Sequence, residues 1–402
     1  MMLVWLYLLI FVKPFGVLHV GAIYLTAHFA SSSFNADKFG INNFAGDIIV
    51  LGLIAICIGH LFSILTAKKK IYLNKNDFNV STPRLTFVLS FFLFMITYHY
   101  VVGGIPLLSS DILFSRFEST SSGMFGIPGR FNLFGNFFLF FLCYSCFLLG
   151  GPQYKKLFIF SMLILLASLL FKGSKGTLIH FLVAMLIYKN VSLNKFNLRE
   201  RGLKLASFLP PLILIIASFS YISFVHIEQG ARYSNLIDLV FTRVLEISGK
   251  GYFTAVTLYV ENEGYGLGAN SINDVFAFFD RLFGQGDIYF YTSEKVSALT
   301  NGLSLGIHYL VPMEINIFGY VYMEGGIMAV LFTGILLGLI VGKTSQRILN
   351  CYSIKTMTTL MFFQFYLFLI IIKGNLIFLT ISMGISYIIF RLICFLGFFW
   401  SK

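Results

Sequence analysis

Long apolar runs separated by short polar segments make up most of this chain. A membrane-crossing helix needs about 20 mainly apolar residues. Runs that meet or approach this length lie near 3–29, 44–66, 85–103, 131–150, 157–171, 174–188, 206–226, 318–342, 356–372 and 375–398. The first is interrupted by Lys13-Pro14, so it could be two spans. The pattern predicts an all-α polytopic integral membrane protein with about ten transmembrane helices.

Segment 227–311 is the only long stretch without such a run, and it holds more than half of the chain's 17 acidic residues. We therefore predict three regions. A membrane bundle of about seven spans covers 1–226, a large polar loop covers 227–311, and about three further spans cover 312–402. Within the loop, the glycines of 264–268 predict a flexible turn, because no strand-to-helix unit surrounds them to make a nucleotide loop.

Composition and charge set the orientation. The chain is 57% hydrophobic and 11% charged, against about 25% charged in soluble domains. Basic residues concentrate in alternate loops, such as 68–84 and 189–204, and positive charge marks the cytoplasmic side. Both termini are therefore predicted to be cytoplasmic and the large loop to lie outside. The same bias accounts for the net charge of +12 without a nucleic-acid partner.

Cysteines and acidic clusters give little sign of a metal. Cys143 and Cys146 form a C-x-x-C inside an apolar run, where packing is the favoured interpretation, and nothing supports a disulfide framework. Residues 261–263, Glu-Asn-Glu, could bind a divalent cation through oxygen atoms, but a solvated pair of carboxylates is favoured. We predict no metal and no other cofactor.

Basic residues on the outward side are more informative, because the positive-inside bias works against them. Lys172 and Lys175 flank Ser174, a candidate N-cap, where the fifth predicted span ends and the sixth begins. A helix N-terminus binds anions, so a phosphate would compensate the two positive charges. The alternative is that both lysines extend to the membrane interface in a tight hairpin.

Outward arginines are further candidates for phosphate recognition, because the guanidinium group donates two hydrogen bonds at once. They are Arg116, Arg130, Arg232 and Arg243. Arg116 could instead anchor its loop. Arg243 lies on an amphipathic stretch, 234–246, that could rest on the membrane surface or simply carry surface ion pairs.

A candidate base lies just before or within the eighth predicted span. Glu314 and Glu324 are at or just inside the membrane boundary, where a carboxylate is costly and suggests function. His308 is the other plausible base, because its ordinary pKa is closest to neutrality. The alternative for each is an interfacial hydrogen-bonding residue.

These residues give the chain a resemblance to the bacterial O-antigen polymerases, which polymerise oligosaccharide repeat units. Gly173-Ser174-Lys175-Gly176 between two spans looks like the family's Gly-Ser-Arg-Gly element, with Lys in place of Arg. Segment 314–326 resembles its Glu, Phe-Gly, Gly pattern, and the ten-span layout with one large outward loop also fits. The Arg-x10-Gly loop motifs of some members are absent from this sequence.

The resemblance implies a membrane glycosyltransferase of lipopolysaccharide or related polysaccharide biosynthesis. Its substrate would be an oligosaccharide on undecaprenyl pyrophosphate, at the periplasmic face of the bacterial inner membrane. The outward basic residues would bind the pyrophosphate, and Glu314 or His308 would deprotonate the acceptor. Membrane lipid, a chain-length regulator and a flippase of the same pathway are the expected partners. The alternatives are a lipid-linked oligosaccharide flippase, another membrane glycosyltransferase, or a glycan ligase.

Overall fold

The protein is predominantly helical in the part that the computed structural model describes. That part comprises residues 1–11, 17–39, 43–66, 80–110, 115, 127–173, 180–187, 191, 213, 220, 249–283, 289–302, 315–351, 353–374 and 376–399, and it contains no strand. Within it, five helical segments are long and apolar enough to cross a membrane: Phe44–Leu65, Thr82–Leu108, Pro152–Phe171, Asn316–Leu349 and Ile354–Lys373. The prediction of an all-α protein with membrane-crossing helices is confirmed at this level.

Outside segment 227–311 the described helices follow the apolar runs of the sequence. They are α1 (Met2–Phe11), α2 (Val17–Phe39), α3 (Phe44–Leu65), α4 (Thr82–Gly103), α5 (Ile127–Gly150), α6 (Lys155–Phe171), α7 (Lys250–Thr254), α8 (Val260–Glu263), α9 (Ala269–Phe283), α10 (Thr292–Asn301), α11 (Asn316–Leu349), α12 (Ile354–Lys373) and α13 (Leu376–Phe399). A π-helical turn, Ala255–Tyr259, joins α7 to α8. The first predicted span is two helices, and α2 continues ten residues beyond the predicted end at 29. Most of the seventh predicted span, 206–226, lies outside the described residues.

Local chemistry explains several helix ends. Asn43 caps α3 by accepting a hydrogen bond from the Gly46 backbone N–H at 3.0 Å. Pro83 lies in the first turn of α4, where its missing N–H costs nothing. Gly151, with φ of 101°, and Pro152 separate α5 from α6. These signals are all readable from the sequence.

The chain divides into two compact units. The first consists of Met1–Lys68, Ile237–Gln346 and Tyr366–Thr380, and the second of Lys69–Leu236, Arg347–Phe365 and Ile381–Lys402. The limits predicted for the large loop, 227 and 311, both fall outside the described residues. The three-region division therefore stays a prediction.

In the first unit, α3 and α11 make a close helix contact through glycines. A Cβ on Gly338 would meet the carbonyl oxygen of Ile56, and one on Gly59 would meet that of Ile335. A Cβ on Gly342 would meet the side-chain oxygen of Ser63. Small residues at four-residue spacing allow backbones to approach this closely in membrane helices.

The helical segment from Lys250 to Glu263, in the predicted polar loop, is partly buried in the first unit. Tyr252 is fully buried, and its hydroxyl donates to the carbonyl of Ala45 at 2.7 Å. The Gly249 N–H donates to the Ser31 hydroxyl at 3.0 Å. This part of the loop is therefore built into the helical unit.

The second unit has an aromatic core along α5. Phe137, Phe138, Phe140 and Phe141 are all buried. Phe137 stacks on Phe365 of α12, with ring centroids 4.1 Å apart. The two cysteines of α5, Cys143 and Cys146, are buried in this core and form no disulfide.

Candidate functional sites

Polar side chains converge at one end of α4, α5 and α6 in the second unit. The Asn136 amide donates to the side-chain oxygen of Asn132 at 2.6 Å and to the Ser168 hydroxyl at 3.1 Å. The Tyr100 hydroxyl donates to the Ser168 carbonyl. All four residues are buried, in helices that are otherwise strongly apolar. We call Tyr100, Asn132, Asn136 and Ser168 the α4–α6 polar cluster.

Two polar atoms, one in this cluster and one next to it in sequence, have no hydrogen-bond partner among the described residues. They are Nδ1 of His99 and the side-chain oxygen of Asn136, both buried. Buried polar atoms are nearly always paired, so each such atom needs an explanation. An unsatisfied pair beside a cationic residue is compatible with a polar ligand.

Lys172 lies at this end of the second unit. It is the half-buried C-cap of α6 and lies close enough to His99 for an electrostatic interaction. A cation is favoured at a helix C-terminus, so part of its placement has a structural explanation that the sequence did not suggest. Ser174 and Lys175, the other residues of the predicted phosphate site, lie outside the described residues.

Arg130 lies at the same end of the second unit. It lies in the first turn of α5, which starts at Ile127, and the contact of Asn136 with Ser168 aligns the start of α5 with the end of α6. The fold therefore brings the backbones of Arg130 and Lys172 to one end of an antiparallel helix pair, as the predicted topology requires. Arg116 lies outside the described residues.

A second polar site surrounds a break in α11 of the first unit. Gly325 and Gly326 have non-helical backbone angles, with φ of 62° at Gly326, which favours glycine. The break frees two carbonyl groups. Those of Met323 and Glu324 accept hydrogen bonds from the N–H groups of Gly266 and Leu267, each at 2.8 Å. The predicted turn at 264–268 is confirmed as a turn, and these two hydrogen bonds join it to the break in α11.

The Glu324 carboxylate caps α9 from 53 residues away in sequence. It accepts from the backbone N–H groups of Gly268 at 2.8 Å and Ser271 at 2.7 Å, and from the Ser271 hydroxyl at 2.6 Å. These N–H groups have no partner within their own helix, and negative charge is favoured at a helix N-terminus. For Glu324, the hydrogen-bonding interpretation therefore fits better than a free catalytic base.

Asp274 extends the same network into the core. Its carboxylate accepts from the Thr292 N–H at 2.7 Å, from the Thr292 hydroxyl at 2.8 Å and from the Tyr320 hydroxyl at 3.0 Å. Burial raises the pKa of Asp274, although the hydrogen bonds from Thr292 and Tyr320 oppose the increase. Because its side chain is completely buried, Asp274 connects α9, α10 and α11 rather than meeting a substrate.

We expect Asp274→Asn to reduce the pH dependence of stability. The folded-state pKa lies above the ordinary 3.8, so the folded protein binds this proton more tightly than the unfolded chain. The folded form is therefore destabilised as pH rises from 3.8 through the raised pKa, and this effect persists above it. Asparagine cannot ionise, yet its oxygen can still accept from Thr292.

Melting temperatures of the detergent-solubilised protein, measured across that interval, test this expectation. The variant should lose less stability than the wild type as pH rises, whereas Glu263→Gln, a change at an exposed carboxylate, should follow the wild type. Parallel curves for Asp274→Asn and the wild type would contradict it.

Several predicted site residues lie outside the described residues. They are Arg116, Ser174, Lys175, Arg232, Arg243, His308 and Glu314. Their roles stay predictions. The acidic triplet 261–263 is exposed, and the described part of the chain contains no group of three or more His, Cys, Asp or Glu residues placed to hold a metal.

Reasoning from the sequence missed the network of Asn270, Asp274, Thr292 and Tyr320. A partial signal was present in Glu294, an acidic residue in the first turn of α10, whose side chain accepts a hydrogen bond from the Tyr291 N–H at 3.0 Å. Nothing in the sequence pairs Asp274 with Tyr320, since the two are 46 residues apart.

In the part of the chain that the structure describes, the fold and these sites define a helical protein with helices of membrane-crossing length and a buried polar network in each unit. No protein-family model, no curated protein and no solved structure matches the chain.

Proposed function

We propose that the protein polymerises oligosaccharide repeat units carried on undecaprenyl pyrophosphate at the periplasmic face of the bacterial inner membrane. An acceptor hydroxyl oxygen attacks the anomeric carbon of the donor glycan. The bond from that carbon to the phosphate oxygen breaks, the pyrophosphate leaves with the electron pair, and the hydroxyl proton passes to a base. The proposal includes about ten spans, two cytoplasmic termini and a periplasmic large loop.

The observation that carries this proposal is the position of Lys172 beside the α4–α6 polar cluster. A leaving pyrophosphate gains negative charge in the transition state, and a fixed cation near a membrane boundary stabilises it. The unsatisfied atoms of His99 and Asn136 offer further polar contacts. Arg130 starts its helix at the same end, and the resemblance of 173–176 to the Gly-Ser-Arg-Gly element supports the same location.

The broken helix α11 raises a second candidate, a lipid-linked oligosaccharide flippase, because transporters build substrate sites from discontinuous helices. Transporter breaks lie near the bilayer midplane and leave backbone groups for the substrate. Here the break follows Glu324, near the start of α11, and the carbonyls of Met323 and Glu324 are bonded to Gly266 and Leu267. The polymerase proposal is therefore preferred.

Deletion of the gene separates these functions. Loss of a polymerase leaves one repeat unit on each lipid core, whereas loss of a flippase or ligase leaves none. Surface glycan resolved on a gel gives the answer, and an unchanged ladder in the deletion strain would remove the proposal.

We expect Lys172→Gln to slow polymerisation by about 10²-fold, the usual effect of removing one group that stabilises transition-state charge. Lys172→Arg should retain most activity. Chain length on a glycan gel and polymer formation by the purified protein measure both.

The matched control is Lys373→Gln, which removes a lysine from the last turn of another helix, α12. If Lys172 only complements a helix dipole, both glutamine variants will have the same small effect. Equal and near-normal chain lengths in the two variants would contradict the assignment of Lys172.

A further inference from the structure

Helix α9 exposes an apolar side, while its buried side carries polar residues as well as Ala277 and Phe278. Ile272, Phe276 and Phe279, spaced four and three residues apart, are 59%, 51% and 46% exposed. On the opposite side Asn270 and Asp274 are buried and bonded to Tyr259, Thr292 and Tyr320. A helix on a water-facing protein surface instead exposes polar residues and buries apolar ones.

We infer that α9 lies in the membrane interface, with Ile272, Phe276 and Phe279 inserted among the lipid acyl chains. Each large apolar side chain gains about 1.5–3 kcal/mol when it leaves water completely. A row of three exposed in water would forgo much of that gain, whereas a bilayer supplies it directly. The side of α9 that carries Asp274 cannot face lipid, because Asp274 is completely buried in the protein.

We assign lipid as the partner of the exposed apolar side of α9, because this side is continuous with the surface of a candidate membrane span, α11. The Leu267 N–H, just before α9, is bonded to the Glu324 carbonyl at the break of α11. Immediately after the break, Ile327 and Met328 are 41% and 77% exposed on a segment apolar enough to cross a membrane. The exposed apolar row of α9 therefore begins where the apolar surface of that span begins.

Tyr289 extends the row. Its ring stacks on Phe276 with centroids 5.4 Å apart, and it is itself exposed. Tyrosine is favoured at the boundary between headgroups and acyl chains. Residues 269–283 of the polar loop would thus be held against the bilayer, whichever reaction the protein performs.

Quenching of tryptophan by brominated lipid tests the inference. The two native tryptophans, Trp5 and Trp400, are replaced by Phe, and Phe276→Trp is introduced alone. The full-length protein is reconstituted in phosphatidylcholine vesicles with and without bromine on the acyl chains. Phe332→Trp, at a 70% exposed position of α11, is the lipid-facing control. Glu261→Trp, within the exposed acidic triplet, is the water-facing control.

We expect bromine to quench Phe276→Trp as strongly as Phe332→Trp, and to leave Glu261→Trp bright and sensitive to aqueous acrylamide. Ile272→Trp is a second reporter if Phe276→Trp does not fold. Emission that acrylamide quenches and bromolipid does not would place α9 in water. Emission that neither acrylamide nor bromolipid quenches would mean that protein covers this side of α9, for example a second copy of the chain. Either result overturns the inference.

Discussion

Replacing Glu324 by alanine should loosen the start of α9 and destabilise the first unit by about 3 kcal/mol. This figure is the sum for several hydrogen bonds to a charged group, reduced because water partly replaces them. The Glu324 carboxylate accepts three hydrogen bonds at 2.6 to 2.8 Å, two from backbone N–H groups at the start of α9. Without it, the N–H groups of Gly268 and Ser271 lose their partner.

Hydrogen exchange measures this effect directly. Amide protons in the first turn of α9 should exchange much faster in Glu324→Ala than in the wild type, and proteolysis near 264–270 should accelerate. Glu324→Gln, which keeps one acceptor oxygen, should fall between the two.

Glu263→Ala is the matched control, since it removes an exposed carboxylate from the same loop. If exchange in α9 is equally fast in the two alanine variants, Glu324 does not hold this helix.

Gly338→Ala should strongly destabilise the packing of two helices of membrane-crossing length, α3 and α11. The added Cβ would meet the carbonyl oxygen of Ile56, so the backbones of α3 and α11 would have to separate. Overpacking that moves backbone costs up to about 3 kcal/mol. The neighbouring approaches at Gly59 and Gly342 would open at the same time.

The chain offers a matched control in Gly384 of α13, where an added Cβ meets nothing within 4 Å. There alanine should be neutral or slightly stabilising, because it is the better helix former. Thermal unfolding followed by size-exclusion chromatography in detergent distinguishes the two variants. Equal melting temperatures would show that α3 and α11 are not packed through Gly338.

The packing of α3 against α11 also shows which features could be predicted from the sequence and which could not. Apolar length alone predicted a helix near 44–66 and another near 318–342, and both are present as Phe44–Leu65 and Asn316–Leu349. The glycines at 334, 338 and 342 are visible in the sequence, but their partner is not. Only tertiary structure could select the backbone of α3.

Site prediction divided in a similar way. Charge at the outward ends of spans led to Lys172 and Arg130, which the fold brings to one end of α5 and α6. The same reasoning predicted a functional role for Glu324, but in the structure the Glu324 carboxylate caps α9. A carboxylate near a membrane boundary has the same sequence signature in both roles, because the cost of burial is relieved equally by a substrate or by backbone N–H groups.

The sequence by itself determined the helical class, the presence of helices long and apolar enough to cross a membrane, and many helix ends. Apolar length, capping residues, proline and glycine act through neighbouring residues, so these features do not depend on distant partners. Tertiary structure decided that α11 is broken at Gly325 and Gly326, that Glu324 meets α9, and that α9 buries Asp274 while exposing Phe276. These depend on partners some fifty residues away. In a helix that contacts both protein and lipid, periodicity identifies two sides but not which of them faces inward.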